Sequence, residues 1–123
     1  MKKYQIIYAD PPWQYDFSKD NSDKIEKHYP TMSVKDICAL NVPTDENCVL
    51  YLWATAPKLL EALEVMRAWG FIYKTCAFAW IKADVSTIDL FPDAKTADMT
   101  TGYWTRSNSE ACLLATRGKP KRI

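Results

Sequence analysis

Glycine is scarce, with three residues in a chain of 123. No GxGxxG or GxxxxGK(S/T) pattern occurs, which excludes a glycine-rich phosphate cradle. No apolar run approaches the ~18 residues that a membrane-spanning helix needs. The N-terminus, MKKYQIIYADPPW, is charged but has no apolar stretch ending in small residues, so it does not read as a secretory signal. Neither charge sign dominates. Sixteen Lys and Arg against fifteen Asp and Glu leave a net charge of +1. That excludes a strongly cationic nucleic-acid coat but permits a local basic patch. No CxxC pair exists. Cys48, Cys76 and Cys112 sit in apolar, strand-like stretches, and with Cys38 they read as reduced core thiols of a cytoplasmic protein.

Apolar residues make up 48% of the chain and charged residues 25%, as in a folded globular domain, and the length allows only one. Tyr4 to Ala9 (YQIIYA) reads as a buried strand, ended by Asp10-Pro11-Pro12 because proline cannot donate to a ladder. Residues 14 to 32 form a long polar loop. Ser33-Val34-Lys35-Asp36 resembles a capping box that opens a short helix through Leu40, and Asn41 to Asn47 is a turn-rich connector. Cys48 to Ala54 (CVLYLWA) is a second strand. A helix then starts at Pro57, stops at Gly70, and offers Leu59, Leu60, Leu63, Met66 and Trp69 as its packing face. Ile72 to Ile81 is a third strand. Ala83 to Thr101 is a polar loop, Glu110 to Arg117 a fourth strand, and RGKPKRI a basic tail. This order predicts an α/β domain with a mainly parallel sheet.

The chemistry concentrates in Asp10-Pro11-Pro12-Trp13, at the carboxyl end of the first strand, where open α/β sheets place their ligands. Asp10 supplies an acceptor carboxylate. Pro11 and Pro12 remove two N–H donors, so the backbone there presents carbonyls. Trp13 supplies a flat π face. A planar base carrying an NH₂ fits such a corner: the carboxylate and a proline carbonyl accept its two protons while the ring stacks on the indole. Two acceptors aimed at those protons draw the nitrogen toward tetrahedral geometry and release a lone pair otherwise delocalised into the ring. Positioning and preorganised charge then suffice for attack on an activated methyl, with no metal required. A proline-rich turn closing a strand is the plainer alternative for the tetrapeptide alone.

Further segments join this one. They are His28-Tyr29-Pro30-Thr31-Met32-Ser33, Leu50-Tyr51-Leu52-Trp53-Ala54-Thr55, Trp69-Gly70-Phe71 and Trp80-Ile81-Lys82. Thr101-Gly102-Tyr103-Trp104, Glu110-Ala111-Cys112-Leu113 and Gly118-Lys119-Pro120 complete the set. In that order, over nearly the whole chain, the sequence resembles the DPPW-type adenine N(6) methyltransferases. That family includes the catalytic subunit of the eukaryotic messenger-RNA adenosine methyltransferase and many bacterial and phage DNA adenine methyltransferases. The resemblance implies S-adenosylmethionine as methyl donor and adenine in nucleic acid, DNA ahead of RNA, as the target. Asp10 and Pro11 would bind and activate the amine, with Trp13 and Pro12 shaping the adenine pocket and Asp10 also close to the donor. Tyr29 would help hold the adenine, and Lys82, Trp104 and Glu110 would line the substrate side. Trp53, Trp69 and Trp80 are left as core residues. His28, Lys119, Lys121 and Arg122 are candidate phosphate contacts, although plain surface roles explain them as well.

The resemblance also implies a Rossmann-like class I methyltransferase fold in circularly permuted order, of which residues 1–123 form the N-terminal part of a single domain. Central and following strands, and most of the donor site, are expected beyond residue 123. A strand is expected to pair beside Tyr4–Ala9, whose apolar edge is otherwise bare. On this reading the chain alone is weakly active or inactive, and a homo- or hetero-oligomer could complete it. Two other functions stay open. One is a non-catalytic nucleic-acid-binding or partner subunit, although such subunits typically lose the motif that is intact here. The other is a methyltransferase for another amine, whose members usually carry Ser or Asn in place of Asp10 and Tyr in place of Trp13.

Overall fold

The computed structural model describes residues 1–15, 30–81, 100–101, 106–107 and 109–122. Strand β1 is Tyr4–Ala9, helix α1 is Val34–Cys38 and strand β2 is Thr44–Ala54. A 3-10 turn at Ala56–Lys58 leads into helix α2, Leu59–Ala68. Strand β3 is Ile72–Ile81, a two-residue pair is formed by β4 (Thr100–Thr101) and β5 (Arg106–Ser107), and strand β6 is Ser109–Arg117.

Local chemistry sets these boundaries. Ser33 caps α1, its Oγ accepting the Asp36 N–H at 3.1 Å, as the capping pattern predicts. Helix α2 ends in a paired-bond cap: the Phe71 N–H donates to the Met66 carbonyl and the Gly70 N–H to the Arg67 carbonyl. Gly70 takes φ +86° to close it, and Met66 and Phe71 are both buried beside it. The second strand starts at Thr44, inside the expected connector. Thr44 is buried, its Oγ1 accepts the Arg117 guanidinium at 2.8 Å, and the Tyr4 N–H donates to the Pro43 carbonyl.

Four strands form one sheet in the order β1-β2-β6-β3. Only β1 and β2 pair in parallel; β6 runs antiparallel to both β2 and β3. The expected mainly parallel sheet is therefore corrected to a mixed one. Parallel neighbours need a crossover connection, whereas β6 returns against β3 and enters between β3 and β2. β1, expected from its apolar run to be a buried strand, instead stands at an edge of the described sheet and is largely exposed, with Ile6 and Tyr8 60% and 70% exposed, because it has a strand neighbour on one side only.

One face of the sheet carries the core. Leu50, Leu52, Ala54, Leu113 and Ala115 pack with Ile37 of α1 and with Ala62, Val65, Met66 and Trp69 of the α2 region. Each fully buried aliphatic side chain contributes roughly 1.5–3 kcal/mol by leaving water. The Trp69 indole donates to the Ile37 carbonyl at 2.9 Å, tying the end of α2 to α1. The helix face differs from expectation. Leu59 and Leu60 are exposed, while Ala62, Val65 and Met66 are buried at helical spacing. The initial 3-10 turn puts Lys58, not Leu59 or Leu60, on the buried side.

On the opposite face Tyr51 and Phe78 stack at 6.1 Å, and Trp80 is 61% exposed, so its expected core role is not met. Cys76 is likewise exposed, while Cys48 and Cys112 are buried and Cys38 is half-buried. Bulges between Tyr73 and Thr75 and between Cys76 and Phe78 break the alternation that would have assigned β3 side chains to faces.

Gly70→Ala should lower stability by about 1–2 kcal/mol, because a side chain at positive φ is strained. A urea titration read by circular dichroism checks this, with the midpoint moving down and the slope unchanged.

Candidate active site

β1 ends at Ala9, directly before Asp10, at the carboxyl edge of the parallel β1–β2 pair. The two prolines then turn the chain. The Trp13 N–H donates to the Pro11 carbonyl at 2.9 Å, closing a tight turn, and the Met32 N–H donates to the Pro12 carbonyl at 2.9 Å. Trp13 and Met32 form a one-residue parallel bridge. Both proline carbonyls thus carry one internal bond, and each keeps a second lone pair for a ligand.

Trp13 departs from its expected role as a free stacking face. It is only 4% exposed, and its indole N–H donates to the Trp53 carbonyl at 3.1 Å. The indole pins the motif onto the tip of β2. The next aromatic, Tyr15, shares a 2.7 Å hydrogen bond with the Thr55 hydroxyl, and the Lys58 ammonium lies 5.4 Å from the centre of its ring. Lys58 is itself buried and 4.0 Å from Glu61.

Asp10 and Pro11 separate two hollows. One, of about 150 Å³, is walled by Asp10, Pro11, Trp13, Tyr15, Trp53, Ala54, Thr55 and Glu110. The other, of about 230 Å³, lies on the helical side, where Asp10, Pro11 and Pro12 meet Ala9, Ile37, Leu40 and Trp69. The structure therefore brings Asp10, Pro11, Trp13 and Glu110 together, as the sequence predicts for one site. Pro12 falls to the second hollow. Tyr29, Lys82 and Trp104, with His28, lie outside the described residues. Lys119 and Lys121 follow the far end of β6, whose last residue, Arg117, lies seven residues or about 23 Å along the strand from Glu110.

Four contributors to the smaller hollow escaped the sequence reading: Tyr15, Ala54, Thr55 and the half-buried Trp53. Thr55 could have been found by its place one residue after the end of β2. Nothing in the sequence marks Trp53 as other than core.

Asp10 is exposed as a residue, yet the walls of the corner strip enough water from its carboxyl to push its pKa up, with burial as the cause. Burial thus disfavours the charged form relative to a carboxylate in water. Burial also pushes up the thiols of Cys38, Cys48 and Cys112, so these stay protonated at neutral pH and are poor nucleophiles. Among the described residues no group of three His, Cys, Asp or Glu converges as a metal site.

The MT-A70 family pattern matches residues 4–123. The chain belongs to the MT-A70 family. It is 39% identical over 100 residues to the type II methyltransferase M.MunI of a Mycoplasma species, an alignment covering 66% of this chain and 43% of the relative. It is 30% identical over 121 residues to an MT-A70-like N(6)-adenosine-methyltransferase of Medicago truncatula, covering 97% of this chain and 17% of the relative. The chain spans less than half the length of either relative.

Two expected outcomes follow from this corner. Trp13→Ala should cost about 3–5 kcal/mol of stability in urea unfolding, because it empties a buried indole site. Asp10→Asn should not lower the melting temperature at pH 7. Folding raises the pKa of Asp10, so its charged form destabilises the native state above that pKa. The advantage of Asn should shrink as pH falls through the raised folded pKa and be gone below the ordinary aspartate value.

Proposed function

We propose that this chain carries the amine-activating part of an S-adenosylmethionine-dependent adenine N(6) methyltransferase acting on nucleic acid, with DNA ahead of RNA. The observation that carries the reading is the placement of the Asp10 carboxylate and the Pro11 carbonyl between two hollows at a strand tip. The N(6)-adenosine-methyltransferase in the name of the Medicago relative supports the choice of amine. The near-neutral net charge favours neither DNA nor RNA. The intact Asp10-Pro11-Pro12-Trp13 segment favours a catalytic chain over a partner subunit.

In this reading the target amine enters the smaller hollow. The Asp10 carboxylate accepts one of its protons, and the free lone pair of the Pro11 carbonyl accepts the other. The nitrogen becomes pyramidal and its lone pair turns toward the second hollow. Formation of the N–C bond would be matched by cleavage of the donor's S–C bond, its sulfur leaving as a neutral thioether, and the nitrogen sheds one proton through the Asp10 carboxylate to water. Trp13 and Met32 keep the proline turn in register throughout.

The methyl donor fits the described residues in part. The larger hollow has Asp10 as its one carboxylate among otherwise apolar walls, a setting suited to a positively charged methyl-bearing centre. At about 230 Å³ it falls short of the ~300–1,000 Å³ usual for a whole cofactor. When bound, S-adenosylmethionine supplies an electrophilic methyl group. Tyr29, Lys82 and Trp104 keep their proposed substrate-side roles, Glu110 stands on the same side, and no metal is assigned. The Rossmann-like, circularly permuted arrangement, with a further strand beside β1, belongs to the same proposal. So does work in the reducing cytoplasm, with Cys38, Cys48, Cys76 and Cys112 as free thiols.

The test is methyl transfer by the chain in its full natural polypeptide, using labelled donor with adenine-containing DNA and, separately, RNA. Label should appear in N(6)-methyladenine and fall at least about 100-fold with Asp10→Ala. Label in cytosine or protein would overturn the reading. Activity should decline on acidification through a midpoint above 3.8, the ordinary aspartate value, since protonated Asp10 cannot accept the amine proton.

A further inference from the structure

Trp13 touches the wall of the smaller hollow but offers it little stacking surface, because it is 4% exposed and its indole N–H is bonded to the Trp53 carbonyl. A second indole lines the same hollow. Trp53 is half-buried, and it shares the wall with both carboxylates, Asp10 and Glu110. Its orientation is fixed across the β1–β2 pair: the Trp53 Nε1–H donates to the Tyr8 hydroxyl at 2.6 Å. Tyr8 lies two residues before Asp10 and is 70% exposed, so little else packs against its ring. Register puts Tyr8 opposite Tyr51, hence Trp53 one step toward the carboxyl edge on the same face. The hydroxyl therefore reaches along the strand direction to hold the indole edge.

We propose that Trp53 is the residue on which the planar target base stacks, and that Tyr8 is a positioning residue that sets the angle of its indole. This rests on the amine reading above and deepens it. Division of labour between the two indoles follows from their hydrogen bonds. Trp13 uses its N–H inward, on backbone, and vanishes into the core. Trp53 uses its N–H sideways, on an exposed side chain, and leaves π surface to the hollow. A base stacked there lies beside Asp10, so its exocyclic amine and its ring are recognised by different strands: the amine from the tip of β1, the ring from β2.

The experiment is calorimetric titration of the full natural polypeptide with adenosine 5′-monophosphate, alongside ¹⁵N spectra of the tryptophan indoles. Trp53→Leu should weaken binding about 5- to 150-fold, the usual effect of losing one stacking platform. Trp53→Phe, which keeps a π face, should recover most of that loss. Tyr8→Phe should shift the Trp53 indole N–H signal and weaken binding several-fold. Nucleotide should move the Trp53 signal but leave that of Trp69, which is buried on the Ile37 carbonyl. Unchanged affinity in Trp53→Leu would overturn the proposal. So would equal losses in Trp53→Leu and Trp53→Phe with circular dichroism intact, since that pattern marks a structural indole. Asp10→Asn in the same titration separates the two readings. If it keeps full affinity while Trp53→Leu loses it, stacking stands and the amine assignment falls; if the parent chain binds no nucleotide, both fall.

Discussion

The hydrogen bond from the Trp13 indole to the Trp53 carbonyl is the joint on which the corner depends. Asp10, Pro11 and Pro12 belong to a turn that has left the β1 ladder and could point several ways. One buried indole, anchored on the tip of the neighbouring strand, removes that freedom. The bond from Met32 to the Pro12 carbonyl closes the other side of the turn. A buried N–H without a partner would cost about 1–3 kcal/mol, so the indole is committed to this one seat. The carboxylate is placed by packing rather than by an ion pair, which is why its environment can raise its pKa instead of lowering it.

Much of the fold was legible in the sequence, because hydrophobic runs and punctuation act locally. The YQIIYA run, the Ser33 cap, and Gly70 at the end of α2 each work through residues within one turn or one strand. What was not legible depends on partners distant in the chain. The reversal of β6 is a choice between strand neighbours, and an apolar run such as EACLLATR is compatible with either direction. The bulges of β3 shift its alternation, so composition alone puts Trp80 and Cys76 in the core when both are exposed.

The site was legible in the same uneven way. Asp10 and Pro11 are identified by chemistry that few other residues supply, and Glu110 by its place in a longer pattern; all three meet at one hollow. The two tryptophans differ from expectation in burial: Trp13 is buried and Trp53 half-buried. A tryptophan beside a reactive carboxylate reads as a ligand platform, and one in the middle of LYLWAT reads as core. Only the direction of each indole N–H separates them, and that is a property of the folded backbone.

The same corner resolves a conflict between stability and chemistry. A carboxylate stripped of water is unfavourable to fold around, and a neighbouring cation would relieve the strain. A cation would also satisfy the carboxylate and blunt its pull on an amine proton. Here the buried cation, Lys58, lies by Glu61 and the Tyr15 ring. Among the described residues Asp10 has no such cation beside it, and burial is the cause of its raised pKa. In the proposed function a base amine would bring its two N–H groups into this hollow, beside Asp10 and Pro11. On the proposed function, the carboxylate that meets the amine would be one that no neighbouring cation has already engaged.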